Sequence, residues 1–417
     1  MKRSLISQML NEWKTNIWLV VELMVVCIVV WLIFAGIWFN IDGLFMPRGF
    51  DPEDVYVLDV KWVDEGSPYY IDMDKDQIYE DRNELLRRIR NNKNVEYASL
   101  QYNFLPYQYN YFGININIET LPDSITYYGN VRMAEPDIIG VLDIKSLTGK
   151  THEELIESLR RGEILISDNV PFEREFKPVS EFVGMKAYFD GDSSNLFRIG
   201  DMVESVRRSD YEKSRAGTII VPISQDLYDG SDFDSSGTGI ILRVKSGKGK
   251  SFINDFKDDV SLRKLRNVYL SDLRSLNDMR DFLQRPTEVN IRLMVVISLF
   301  LLITIFLGLL GSFWFRVQQR VSEIAIRKTF GATDRSLFRR IIGEGLILLS
   351  VGIILASAIF WPFYETGIFF YSGIEWQTMF IIELIVVAIM TVGVCISLFY
   401  PAYKAMKIEP AIAVKEE

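Results

Sequence analysis

The run Leu293 to Phe315 (LMVVISLFLLITIFLGLLGSFWF) carries no charged residue at all, and this constrains the fold more than any other feature of the chain. Three further runs share its character: Ile17 to Phe39, broken only by Glu22; Ile341 to Phe363, with Glu344 near its start; and Met379 to Tyr400, with Glu383 near its start. Each is about 22 residues long, and a helix rising about 1.5 Å per residue then crosses a hydrocarbon core of about 30 Å. A buried core helix is the competing account, and Gly, Ser and Glu lend it some force for the last two runs. Against it, aromatic rings crowd the ends of all four, among them Trp18, Trp38, Trp314, Trp361 and Tyr400, where amphipathic side chains settle among headgroups. Four transmembrane helices are predicted.

Lys and Arg set the orientation. Lys2, Arg3 and Lys14 precede the first run, while Arg316, Arg320, Arg327, Lys328, Arg335, Arg339 and Arg340 fill the loop 316–340. Lys404, Lys407 and Lys415 come after the last run, and the loop around Glu365 and Glu375 has no basic residue. Both termini and the basic loop are therefore expected in the cytoplasm, and the large middle stretch outside. The expected plan is a short amphipathic segment 1–16, a first span 17–39, an external domain 40–288 of two subdomains, and a membrane part 289–417. Within the last, spans fall at about 291–315, 341–363 and 379–400. The first run starts late, is long and lacks a small-residue cleavage pattern, so it anchors the chain and exports the large middle stretch.

The external stretch reads as α+β. Strands are expected over Asp51 to Val63, Glu96 to Phe112, short pieces of Val131 to Ile144, Glu163 to Ser167, Phe182 to Lys186, Leu196 to Gly200, Thr218 to Ile223 and Gly239 to Lys245. Helices are expected over Ile78 to Asn91, over Ser251 to Asp258 and over Ser271 to Gln284, and after a capping box of Thr151 with Glu154. Cys27 and Cys395 both fall inside predicted spans, so the external domain folds on its core without disulfides.

Site chemistry of the catalytic kind is missing from the sequence. His152 is the single histidine and sits beside a helix cap, no Cys/His set has zinc spacing, and no Gly-rich loop with a succeeding Lys and Ser/Thr cradles phosphate. The aspartates within Tyr228 to Thr238 fail calcium-ligand spacing. No metal, cofactor or enzymatic activity is expected, and the net charge of −9 argues against a nucleic-acid partner. Glu22, Glu344 and Glu383 lie toward span ends, which favours structural pairing over a proton relay. Gly36, Gly308, Gly311 and Gly352, together with Glu344, are candidate positions for packing between spans.

The basic loop has its own organisation. Val321, Ile324, Ala325 and Lys328 recur at helical spacing, Glu323 and Arg327 can pair across one turn, Gly331 ends the helix, and Thr333 or Asp334 caps the next. A lever that passes force between spans and an anchor for anionic lipid are equally compatible with this composition. The wording of the segment decides between them. The stretch EIAIRKTFGATDRSLFRRIIGEGLILLSVGIILA resembles the signature of MacB/FtsX-type ABC transporter permeases, through Glu323, Ile324, Ile326, Arg327, Lys328, Gly331, Ala332 and Glu344. Pro401, Ala402, Ala405, Pro410 and Val414 resemble that family's closing motif, and the 1+3 span layout with a MacB-like periplasmic domain is similar to its plan.

The resemblance implies an inner-membrane permease of the type VII kind that splits no nucleotide itself. Only about 16 residues precede the first span, so a separate cytoplasmic ABC ATPase is implied as partner. Glu323, Ile324, Ile326, Arg327, Lys328, Gly331, Ala332 and Arg335 would carry the coupling, a mechanotransmission rather than a substrate tunnel. A dimer with itself or a related permease is implied, and a periplasmic adaptor and outer-membrane channel are candidate partners for efflux of peptides, drugs or lipoproteins. The alternative is a membrane-anchored sensor or regulator of a partner such as a cell-wall hydrolase, without transport.

Overall fold

The computed structural model describes residues 13–108, 112–120, 126–170, 179–212, 217–223, 238–360 and 376–407. Most of the segment 1–16, the acidic loop up to residue 237, the last turn of the third predicted span with Trp361, the loop around Glu365 and Glu375, and the tail bearing Pro410, Val414 and Lys415 lie outside the described residues. The chain divides into two compact units, Met1–Ile41 with Glu288–Glu417, and Asp42–Thr287. Among the described residues the first unit begins with helix α1, Trp13–Ile41.

The second unit is a sheet domain. In chain order it contains β1 (Val55–Trp62), α2 (Lys75–Arg90), β2 (Val95–Tyr102), β3 (Phe112–Ile118), β4 (Tyr127–Ala134), α3 (Ile138–Leu142) and α4 (His152–Arg160). Next come β5 (Ile164–Ser167), β6 (Lys186–Phe189), β7 (Phe197–Val203), β8 (Gly217–Pro222), β9 (Thr238–Val244), α5 (Gly249–Asp258), β10 (Lys264–Leu265) and β11 (Val268–Ser275). The strands join in the order β10-β11-β1-β9-β2-β4-β3-β6-β7-β5-β8, and β8 also pairs in parallel with β4, so six strands close into a ring. The other five form a wing.

Alternation explains the wing's two faces, because successive side chains of a strand point to opposite sides. Leu58 and Val60 of β1 and Ile240 and Leu242 of β9 face Leu85, Leu86 and Ile89 of α2 and Phe252 of α5. Val55 and Val57 of β1 and Ile241 of β9 point the other way, into a core with the buried faces of α3 and α4. The ring has its own core, with Ile116, Val131, Ile164, Ile199 and Ile219 all buried. The capping box is present: Thr151 Oγ1 accepts from the Glu154 N–H at 3.3 Å, and the Glu154 carboxylate accepts from the Thr151 N–H at 2.8 Å.

Four expectations need correction. The strand expected over Glu96 to Phe112 ends at Tyr102, where the chain turns and buries Phe104, Leu105 and Tyr107, and the next strand starts only at Phe112, residues 109–111 lying outside the described residues. Residues 131–144 hold the end of one strand and then the helix α3, whose five residues are all buried. The strand expected over 182–186 begins at Lys186 instead, where pairing with β3 and β7 places it in the ring. The helix expected from Ser271 starts at Leu276, because Val268 to Ser275 pairs with β1 in register Val268↔Trp62 to Ser275↔Tyr56. Long-range pairing outweighs the local helical pattern there.

Helix α6 runs unbroken over Leu276–Gln319, through Pro286. After it come α7 (Val321–Thr329), α8 (Asp334–Phe360) and α9 (Trp376–Met406). Four of these helices, α1, α6, α8 and α9, are long and apolar enough to cross a membrane. In the helical unit α1, α8 and α9 pack most closely: a Cβ on Gly352 would lie 3.1 Å from the Leu23 Cβ, and Trp31 stacks on Phe360 with centroids 4.3 Å apart. Within the spans Glu22 accepts from Ser312 at 2.7 Å and Glu383 from Ser357 at 2.6 Å, so these two carboxylates each have a hydroxyl partner.

Candidate functional site

Helix α7 is only nine residues long, too short to stand alone in water, so its neighbours must hold it. They do so from one side. Ile324 and Ala325 are buried, and Ile324 joins Val317, Leu337 and Ala405 in a small apolar cluster. Lys328 Nζ donates to the Met406 carbonyl at 2.6 Å and lies 3.1 Å from the Asp334 carboxylate. Arg327 donates to Glu323 at 2.5 Å, the one-turn pair expected from their spacing.

The end of α7 is a Schellman turn. The Gly331 N–H bonds the Lys328 carbonyl and the Ala332 N–H bonds the Arg327 carbonyl, both at 3.1 Å, which satisfies carbonyls the helix leaves over. Gly331 sits at φ +86°, a conformation that only glycine adopts without strain. Thr333 then caps α8, its Oγ1 accepting from the Ser336 N–H at 3.3 Å. Arg335 is exposed on the first turn of α8.

Opposite the buried side, α7 shows apolar residues to solvent. Ile326 is 49% exposed and Phe330 87% exposed, and their spacing of four puts both on one face. Sequence reading picked out Ile326 and missed Phe330; its signal was an aromatic side chain just before the helix-ending glycine, with no apolar neighbour to bury it.

Glu344, a candidate packing position between spans, lies beside this helix and links two of them. Its carboxylate accepts from Arg316 at 2.8 Å and from Arg320 at 2.6 Å, and Arg316 also donates to Asn16 at 2.5 Å. Side chains of Arg316 and Glu344 are 14% exposed and that of Arg320 21%. One carboxylate thus ties the end of α6 to the start of α8, on either side of α7. The arginines of this cluster were legible as basic loop residues, but nothing local in the sequence shows that they converge.

The four glycines singled out behave differently. A Cβ on Gly36 would meet Met294 at 2.6 Å and one on Gly352 would meet α1, whereas Gly308 and Gly311 have nothing within 4 Å among the described residues. Gly393, not singled out, makes the tightest approach among the described glycines of the membrane-length helices, with Phe306 1.9 Å from an added Cβ. In the sheet domain His152 lies 3.3 Å from Asp143, and among the described residues no three His, Cys, Asp or Glu side chains gather as a metal site.

Known proteins share parts of this chain. Residues 295–410 match the family model FtsX-like permease C-terminal. Over 152 residues the chain is 24% identical to the macrolide export ATP-binding/permease protein MacB of Syntrophobacter fumaroxidans, a match that covers 35% of this chain and 20% of that protein. The chain therefore spans about a fifth of the length of the curated relative it matches. A permease-protein domain from Porphyromonas gingivalis is similar in structure at TM-score 0.32 and 13% identity, covering 54% of this chain and 94% of that one. The periplasmic region of MacB from Actinobacillus actinomycetemcomitans is similar at TM-score 0.32 and 8% identity, covering 57% and 95%.

Proposed function

We propose that the chain is a MacB/FtsX-type permease, the type VII permease subunit served by a separate cytoplasmic ATPase; the match of residues 295–410 to the FtsX-like permease family model and the four helices long and apolar enough to cross a membrane support this reading. In this reading α7 is the surface on which the ATPase acts. Hydrolysis moves α7, α6 and α8 carry the motion across the bilayer, and the sheet domain changes conformation on the far side. The basic loop and both termini are cytoplasmic, because Lys and Arg concentrate there. The work done outside is export of peptides, drugs or lipoproteins, with a second permease completing the transporter and a periplasmic adaptor and outer-membrane channel as further partners.

One observation carries this reading: Ile326 and Phe330 form an apolar knob on a helix whose other face is pinned by Ile324, Ala325 and Lys328. A lone exposed aromatic on a rigidly seated short helix is the kind of anchor that fills a partner's pocket, and such anchors dominate interface energies. Glu323 and Arg327 flank it with paired charge.

The test is co-purification of the ATPase with the tagged full chain from membranes. Phe330→Ala, which removes a side chain already in solvent, is expected to lower ATPase recovery about tenfold without changing the amount of permease inserted. Glu323→Lys, which sets a second cation against Arg327, is expected to act in the same direction. Wild-type recovery and wild-type ATPase stimulation by both variants would overturn the assignment of α7.

A further inference from the structure

The wing of the sheet domain ends in a tight hairpin. Lys264 and Leu265 of β10 pair with Tyr269 and Val268 of β11, and Arg266 and Asn267 make the turn between them. Asn267 fastens a second segment to this turn. Its backbone carbonyl accepts from the Val63 N–H at 2.9 Å, while its side-chain amide accepts from the Ile71 N–H at 2.9 Å and donates to the Ile71 carbonyl at 2.6 Å. The chain between Val63 and Ile71 is therefore tied to the hairpin at both ends, and residues of both segments line a hollow of about 620 Å³. Sites for small molecules commonly run from about 300 to 1,000 Å³.

The lining combines flat rings with unengaged cations. Trp62, Tyr69 and Tyr269 contribute aromatic surface, and Tyr69 is 78% exposed. Arg263 and Lys264 stand on the same lining. Among the described residues neither of these two side chains has a hydrogen-bond or ion-pair partner, and Arg263 Nε is buried without an acceptor. Asp64, also on the lining, accepts from the Gly66 N–H at 2.7 Å and so closes its own turn instead of neutralising either cation. A buried donor with no acceptor is costly, and an oxygen brought by a ligand satisfies it.

We propose that this hollow binds a small organic carboxylate with an aromatic body, its carboxylate on Arg263 and Lys264 and its ring among Trp62, Tyr69 and Tyr269. A guanidinium presents paired donors that match the two oxygens of a carboxylate, and indole and phenol rings give a flat apolar body a large contact area. A bare inorganic anion uses the cations and leaves the rings idle. A neutral aromatic molecule uses the rings and leaves Arg263 Nε without an acceptor. The inference goes beyond coupling to an ATPase and rests on the sheet domain alone.

The test is isothermal titration calorimetry of the full chain in an uncharged detergent, with naphthoate, its neutral amide and acetate as probes and protein-free micelles as the blank. Naphthoate is expected to bind about tenfold more tightly than either other probe, the order that a charge-assisted hydrogen bond contributes. Its preference over the amide should vanish in Arg263→Gln/Lys264→Gln and persist in Lys250→Gln, at an exposed position on α5 outside this lining. Tyr69→Ala removes a largely exposed ring, so it reads the site even if the double variant fails to fold. It should weaken naphthoate severalfold and leave acetate unchanged. Absence of naphthoate binding, equal affinity for naphthoate and its amide, or a preference that survives in the double variant overturns the site. Acetate bound as tightly as naphthoate, with no effect of Tyr69→Ala, overturns the aromatic assignment in favour of a simple anion site. None of these readouts involves an ATPase, so the result stands or falls apart from the coupling assignment.

Discussion

Arg132 in the sheet domain and Arg316 in the helical unit are both largely buried, yet different groups hold them. Arg132 donates to the carbonyls of Phe104 and Val206, each at 2.8 Å, while its Nε finds no partner among the described residues. Arg207 is held the same way, by the carbonyls of Met46, Asp210 and Glu212. Carbonyls cannot neutralise a cation, and burial therefore pulls the Arg132 pKa down to about 10 and lowers that of Arg207 as well. Arg316 and Arg320 instead share a carboxylate. A carbonyl cage serves to lock distant backbone segments in one arrangement, whereas a shared carboxylate is a hub that joins its segments through side chains alone. The first kind of burial builds a scaffold; the second suits a place where something is bound or moved.

The contrast can be broken most forcefully at the cage. Arg132→Leu fills the volume but strands two buried carbonyls, and a loss of about 3–5 kcal/mol is expected in denaturant unfolding of the sheet domain within the full chain. If the loss is under about 1 kcal/mol, the cage does not lock anything. Glu344→Gln keeps the shape of the hub and removes its negative charge. The expected cost is smaller, about 2 kcal/mol, because the group is not fully buried and Asn16 still accepts from Arg316, and it should appear as a lower thermal midpoint of the helical unit in detergent. An unchanged midpoint would mean that the hub is replaceable at rest. Gly331→Val touches neither arginine network and places a branched side chain at φ +86°. About 1–2 kcal/mol of local strain is expected, seen as faster protease cleavage between α7 and α8 with membrane insertion intact, and cleavage at the wild-type rate would show that the turn tolerates a side chain.

Much of the helical unit was legible because membranes impose a simple rule. A run such as Leu293 to Phe315 has few places to go other than lipid, and Gly331 was readable as a helix end because glycine alone tolerates the conformation that closes a Schellman turn. The Thr151 and Glu154 capping box was legible for a similar reason, since its partners are three residues apart. What escaped was non-local. The strand β11 looked helical until its pairing with β1 is taken into account, and the start of β6 is fixed by neighbours far along the chain. The same holds for the candidate site. The Glu323 and Arg327 pair is set by spacing, but the meeting of Arg316, Arg320 and Glu344 depends on how two helices pack, and the exposure of Phe330 depends on which side of α7 is covered.

The parallel pairing of β8 with β4 has a consequence for how anything can attach to the ring of the sheet domain. With six strands closed on themselves, each strand of the ring has a neighbour on both sides and none is outermost. A neighbouring chain finds no whole free edge there on which to add a strand, and misfolded copies have no such edge to stack on. Recognition at that ring must be written in side chains and loops alone, where single substitutions can redirect it without disturbing the barrel beneath.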